Sequence, residues 1–151
     1  MIALIQRVSH ASVVVDRQTV GEIRRGWLIF LGVGKADDES HADWLADRVT
    51  GLRAFPDENG KMNRSVLDIQ GEILVVSQFT LLAQCQTGRR PGFSNAASPE
   101  IASTLYEYFV KRVQSDSLKV ATGQFGAHMD VSLINDGPVT FWLDSQQRKS
   151  F

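Results

Sequence analysis

Hydrophobic residues in this chain come in short runs rich in valine and isoleucine, separated by polar breaks, with two intervals of helical spacing. Ile2 to Val8 and Ala11 to Val15 predict two strands. Asp16-Arg17-Gln18 predicts a turn, and Thr19 to Ile23 its returning partner. Trp27 to Val33 is apolar throughout and bounded by Gly26 and Gly34, the mark of a strand buried on both faces. Ala42, Leu45, Ala46, Val49 and Leu52 fall on one helical stripe, so a helix is expected over about residues 39–53, after Asp37 or Asp38 as N-cap.

Farther on, Pro56 to Gly60 predicts a turn in which Gly60 takes a positive φ, and Glu72 to Ser77 a strand. Ala83 to Asn95, mostly polar with two glycines and a proline, predicts a long loop. Ser98-Pro99 opens a second helix whose expected core stripe is Ile101, Ala102, Leu105, Phe109 and Val113. Met129 to Ile134 and Val139 to Leu143 predict two more strands, with a turn between them. The polar end from Ser145 to Phe151 is expected to fray. The fold class expected is α+β: one strand-rich domain over residues 1–144, a curved sheet or partial barrel covered by two helices, with a polar tail at 145–151.

Composition narrows the class without choosing a function. The chain has 151 residues, 43% of them hydrophobic and 22% charged, as in an ordinary globular domain. No run reaches the ~18–20 apolar residues of a membrane span. Gln6 and Arg7 interrupt the opening apolar stretch before a signal-peptide core can form. A single cysteine, Cys85, allows no internal disulfide and predicts a reducing cytoplasm. The net charge of −1 argues against broad duplex binding but leaves room for a local basic patch at Arg24-Arg25, Arg89-Arg90 or Arg148-Lys149.

Several motifs fail on inspection. Gly32-Val33-Gly34-Lys35 lacks the spacing of a phosphate-binding loop and is followed by Asp37, Asp38 and Glu39, which would repel a phosphate. His10, His41 and His128 lie far apart and show no metal-ligand spacing with Cys85. There is no Gly-x-Ser-x-Gly elbow. Two segments remain. Ser77-Gln78-Phe79-Thr80-Leu81 continues directly from an apolar strand, where exposed backbone amides can serve an ester hydrolase as an oxyanion hole. Asn135-Asp136-Gly137-Pro138-Val139-Thr140 lies between two apolar runs. Taken singly, each also reads as a strand end or a turn.

Together these segments resemble the signature of the D-aminoacyl-tRNA deacylase family, Ser-Gln-Phe-Thr-Leu followed by Asn-x-Gly-Pro-x-Thr. The resemblance extends over nearly the whole chain, through Met1 to Val8, Gly60-Lys61-Met62-Asn63, Arg90-Pro91-x-Phe93-Ser94 and Ala97-Ser98-Pro99. It implies a homodimeric hydrolase of translation quality control that cleaves the ester of D-aminoacyl-tRNA and needs neither cofactor nor metal. Ser77, Gln78, Phe79 and Thr80 would form the catalytic pocket, with Ala102, Phe125 and Met129 lining it. Gly137-Pro138, joined by a cis bond, would enter the partner's pocket and reject L-amino acids, while glycyl-tRNA would pass. Two other readings stand beside it: a nucleic-acid-binding module without catalysis, and a small-ester hydrolase using Thr80 or Cys85.

Overall fold

The computed structural model describes residues 1–114 and 117–149. Eight strands and two helices form one α+β unit: β1 (Ile2–Val15), β2 (Gln18–Ile23), β3 (Gly26–Gly32), α1 (Glu39–Gly51), β4 (Phe55–Pro56), β5 (Met62–Arg64), β6 (Glu72–Ser77), α2 (Pro99–Gln114), β7 (Lys119–Thr122) and β8 (Asp130–Asp144). The main sheet runs β2-β1-β3-β6-β7, with β8 on β1; β3, β6 and β7 are mutually parallel and the β1 pairings are antiparallel. The sheet curls until β2 nears β7. At Gly21, a Cβ would lie 2.3 Å from the Thr122 carbonyl oxygen, so only a glycine lets the two strands come this close. The expected partial barrel under two helices is what forms.

The central strands show why. On β3, Trp27, Ile29 and Leu31 face the helices while Leu28 faces the barrel interior, and on β6 Ile73 and Val75 oppose Leu74 and Val76 in the same way. A strand with helices on one side and barrel on the other has no wet face, hence the unbroken apolar run. Helix α1 is capped by Asp38, whose carboxylate accepts from the His41 amide, and it buries Ala42, Leu45, Ala46 and Val49.

Four expectations need correction. The runs Ile2–Val8 and Ala11–Val15 are one strand, because β8 pairs along the whole length and a register shift at Val8/His10 absorbs the polar Ser9-His10. Likewise Asn135–Thr140 is no turn between two strands: β8 continues through it with a bulge. Ile101 is not core but 53% exposed, since at 3.6 residues per turn it falls on the flank of a stripe formed by Ala102, Leu105, Tyr106, Phe109, Val110 and Val113. The end of the chain is tied down as far as Arg148 rather than frayed from Ser145 onward. Ser145 is fully buried and accepts from the Met1 ammonium at 2.6 Å, and Arg148 donates to the Ser40 carbonyl at 2.9 Å. Residues 150 and 151 lie outside the described residues.

Closure at Gly21 is open to test. Gly21→Ala pushes a methyl into the β7 backbone and should lower the unfolding free energy by about 1–3 kcal/mol. Gly51→Ala, whose methyl would meet nothing within 4 Å, should raise it by about 0.4–1 kcal/mol. Urea denaturation of both variants gives the comparison; shifts of the same sign would mean that β2 and β7 do not touch.

Candidate functional site

Strand β6 ends at Ser77, between β3 and β7. Gln78 is still held to β3, its amide donating to the Leu31 carbonyl at 2.8 Å. The chain then turns sharply into a single 3-10 turn, Phe79–Leu82, which packs tightly on Gly32. In a helical first turn the leading amides have no intrahelical acceptor, and Gln78 makes no capping bond to them. The amides of Phe79 and Thr80 therefore remain as donors at the strand tip.

Ser77, Gln78 and Phe79 form one wall of a cleft of about 590 Å³, a size suited to a small-molecule moiety. Opposite them stand Ala102 on α2 and the loop that carries Phe125 and Met129 between β7 and β8. Tyr106 supports this wall from beneath. Its ring lies 5.9 Å from that of Phe125, and its hydroxyl donates to the Val75 carbonyl on β6 at 2.9 Å. Phe79 and Phe93, both exposed, meet edge-to-face at 4.9 Å and give the cleft an aromatic rim. Thr80 sits just past the wall, and its hydroxyl accepts from the Gln78 side-chain amide.

The structure thus brings together Ser77, Gln78, Phe79, Ala102, Phe125 and Met129. It does not bring Gly137 and Pro138 to them. These two belong to β8, exposed and outside the cleft of their own chain, and the bond between them is cis. In the β1–β8 ladder Gln6 pairs with Thr140 and Val8 with Asn135, so residues 136–139 stand opposite Arg7 alone. The bulge is pinned from both sides. Asn135 Oδ1 accepts from the Val139 amide at 2.9 Å, and its Nδ2 donates to Thr140 Oγ1 at 3.0 Å. Arg7, 9% exposed, donates to the Asp136 carbonyl at 3.1 Å and to the Ala54 carbonyl at 2.7 Å, and pairs with the Asp136 carboxylate at 3.3 Å.

Sequence reasoning missed Arg7, Phe93 and His128 as parts of the site. Arg7 gave one signal, a charge at an inward position of a strand. His128 lines the cleft but is 96% exposed, with Nε2 3.8 Å from Asp130. Among the described residues it is the one titratable side chain in the lining, and no group of three His, Cys, Asp or Glu could hold a metal ion. Cys85 is exposed in the loop beyond the 3-10 turn.

The family model described as D-Tyr-tRNA(Tyr) deacylase matches residues 4–144. The chain belongs to that family. Among its relatives, the D-aminoacyl-tRNA deacylase of Thermotoga petrophila is 58% identical over 147 residues, covering 97% of this chain and 99% of its own. That of Clostridioides difficile is 56% identical over 151 residues, covering all of both chains. A solved structure named c-Myc DNA Unwinding Element Binding Protein superposes with a TM-score of 0.89 at 40% identity, over 95% of this chain and 98% of that one. A probable eukaryotic D-amino acid tRNA deacylase, at 15% identity and a TM-score of 0.82 over 94% of this chain and 97% of its own, shares the fold.

The support beneath the cleft carries a pH signature. Burial pushes the Tyr106 hydroxyl up to about 12, whereas an unfolded tyrosine titrates near ~10. The folded state therefore keeps a proton that the unfolded chain gives up, and stability falls as pH rises from 10 towards 12. Tyr106→Phe should cost about 0.5–1.5 kcal/mol at neutral pH and flatten part of that alkaline loss. Urea denaturation at pH 8 and pH 11 measures both; an unchanged alkaline slope would show that Tyr106 is not the group responsible.

Proposed function

We propose that the cleft receives the terminal adenosine and ester-linked amino acid of a D-aminoacyl-tRNA, and that Gly137-Pro138 of a second protomer completes it. The family carries the coarse activity: the protein is a D-aminoacyl-tRNA deacylase, a hydrolase of the aminoacyl-tRNA ester. The finer reading is carried by one observation. The Gly137-Pro138 backbone is exposed and rigidly pinned, yet it stands outside the cleft that the same chain forms.

Dimerisation is how the two would meet. Strand β8 pairs with β1 and has no strand on its other edge among the described residues. That strand also exposes Ile134 (62%) and Trp142 (51%), a combination that invites a second chain. Backbone carbonyls fixed beside the substrate Cα would collide with an L side chain and spare a D side chain. Such rejection is indifferent to side-chain chemistry, so one pocket serves many D-amino acids, and glycyl-tRNA is also cleaved. A cytoplasmic location fits a substrate made during translation.

For the chemistry, the amides of Phe79 and Thr80 grip the carbonyl oxygen and stabilise its developing charge. Water attacks the carbonyl carbon, assisted by the neighbouring 2′-hydroxyl of the tRNA. The ester C–O bond breaks, and the ribose oxygen leaves with a proton, giving free amino acid and tRNA. A threonine nucleophile needs a base at hand, and the Thr80 hydroxyl is engaged with Gln78 instead.

Deacylation of D-tyrosyl-tRNA and L-tyrosyl-tRNA tests the reading. Release from the D form alone is expected; a binding module releases neither, and a small-ester hydrolase has no preference tied to tRNA. Thr80→Ala should keep kcat within a few-fold, whereas a loss of several orders of magnitude with a trapped aminoacyl-threonine would make Thr80 the nucleophile. Ile134→Glu with Trp142→Glu should give a monomer by light scattering and abolish D-specific release. An active monomer would sink the shared site.

A further inference from the structure

Charge along this chain is segregated in a way that its total of −1 conceals. Between Ile73 and Pro99 there is no Asp or Glu and there are two arginines, Arg89 and Arg90. That interval supplies the strand tip, the 3-10 turn and the aromatic rim of the cleft. No carboxylate lines the cleft elsewhere. Asp130 stands on the other side, 3.8 Å from His128, so along the acid-free segment the two cations set the local potential.

The two arginines are also presented by a built element. After Leu82 the chain rises from the cleft wall and folds back, tied by reciprocal backbone bonds between Gln84 and Gly92 of 2.8 and 2.9 Å. Ser94 Oγ donates to Gln84 Oε1 at 2.7 Å and locks the base. Gly88 makes the reversal at φ +73°, where a side chain would be strained. Residues 84 to 91 are all exposed. The returning leg reaches Phe93 in the cleft, so Arg90 lies within about 10 Å of chain from the rim.

Most other arginines in the fold are occupied. Arg7 pairs with Asp136, Arg64 with Glu58 and Arg112 with Asp47, while Arg25 and Arg48 lie over the rings of Phe55 and Trp44. Arg89 and Arg90 have no carboxylate partner among the described residues. A pair of free guanidiniums on an acid-free hairpin is suited to phosphate, which they can grip bidentately.

We infer that the Gln84–Gly92 hairpin is a phosphodiester clamp, in which Arg89 and Arg90 hold the RNA backbone just before the nucleotide seated in the cleft. The inference rests on the cleft taking an aminoacylated RNA end, and it names the residues that tell a tRNA from a free aminoacyl ester. The clamp supplies binding and not chemistry, so its removal shows in KM and salt dependence while kcat stays level.

The experiment compares full-length D-tyrosyl-tRNA with D-tyrosyl-adenosine, which carries the same ester and no phosphate. For Arg89→Ala with Arg90→Ala, KM for the tRNA should rise about tenfold, and the log–log salt slope should shrink by about 0.7 for each phosphate no longer neutralised. Cleavage of D-tyrosyl-adenosine reports whether the cleft itself is intact and should match the wild type. Lys61→Ala with Lys111→Ala removes equal charge from surfaces outside the cleft and should leave the tRNA KM unchanged. The clamp is refuted if the arginine variant binds tRNA like the wild type, matches the lysine variant, or loses the adenosine ester equally. Fluorescence anisotropy with an uncharged acceptor-stem hairpin bearing an unpaired 3′ end separates this from the deacylase reading. A wild type that binds the hairpin through the arginines but cleaves neither ester keeps the clamp and overturns the hydrolase; one that cleaves both while the arginine variant binds undiminished does the reverse.

Discussion

A buried guanidinium must be given acceptors, and in this fold the demand of Arg7 is met by backbone. Arg7 sits at an inward position of β1, and its cation takes the carbonyls of Ala54 and Asp136 together with the Asp136 carboxylate. An unpaired charge at that depth would cost several kcal/mol. The β8 backbone can reach Arg7 only by leaving the ladder, which it does with four residues against one. The bulge that results is the segment that presents Gly137 and Pro138. The side chains of Asn135 and Thr140 then replace the missing ladder bonds from within the same strand. The motif Asn-x-Gly-Pro-x-Thr thus has two parts with separate roles, since its ends fix the shape and its middle is displayed.

The cleft shows the complementary economy. Its lining is mostly small and branched aliphatic side chains, aromatic rings and a thioether, with Ser77 and Gln78 at the strand tip and His128 as the one titratable group among the described residues. A pocket made this way offers few polar groups with which to read an amino acid's side chain. It can recognise a nucleoside face and an ester, and it can hold a carbonyl against fixed amides. Those are the features common to every aminoacyl-tRNA, so discrimination has to enter from outside the cleft. The two proposals, a rigid segment from a second protomer and an anchor for the RNA backbone, both answer that need.

How much of this could be read from the sequence depends on whether the information was local. β3 and both helices were legible, because unbroken apolar character and helical stripes report their own burial. β1 and β8 each look like two strands in the sequence. Ser9-His10 and Asn135 to Pro138 are good local breaks, and only the long pairing of β1 with β8 overrides them. β7 escaped notice as four residues, one exposed and three half-buried, with no clear alternation, held in place by β6. Ile101 was misplaced by one helical step. Within the site, Ser77 to Thr80 were marked by resemblance and by their place after a strand. Phe93, from a polar loop, and Arg7, from a strand whose motif lies far along the chain, were brought in by tertiary structure alone.

Composition misleads here for a related reason. A net charge of −1 argues against an RNA partner only if charge is spread evenly, since a long-range field is all that a total can describe. Recognition of a single RNA end needs little area. With a Debye length of about 8 Å at physiological salt, acids farther than that from the cleft are largely screened, and the charges nearest it dominate what an approaching phosphate feels. The acidic residues of the fold are concentrated elsewhere. Asp43 and Asp47 on α1 meet Arg112 on α2, and Asp38 caps α1. Pairing these carboxylates on the helices leaves the Gln84–Gly92 hairpin free of acid without making the whole protein basic, so the proposed contact with RNA needs only a local patch.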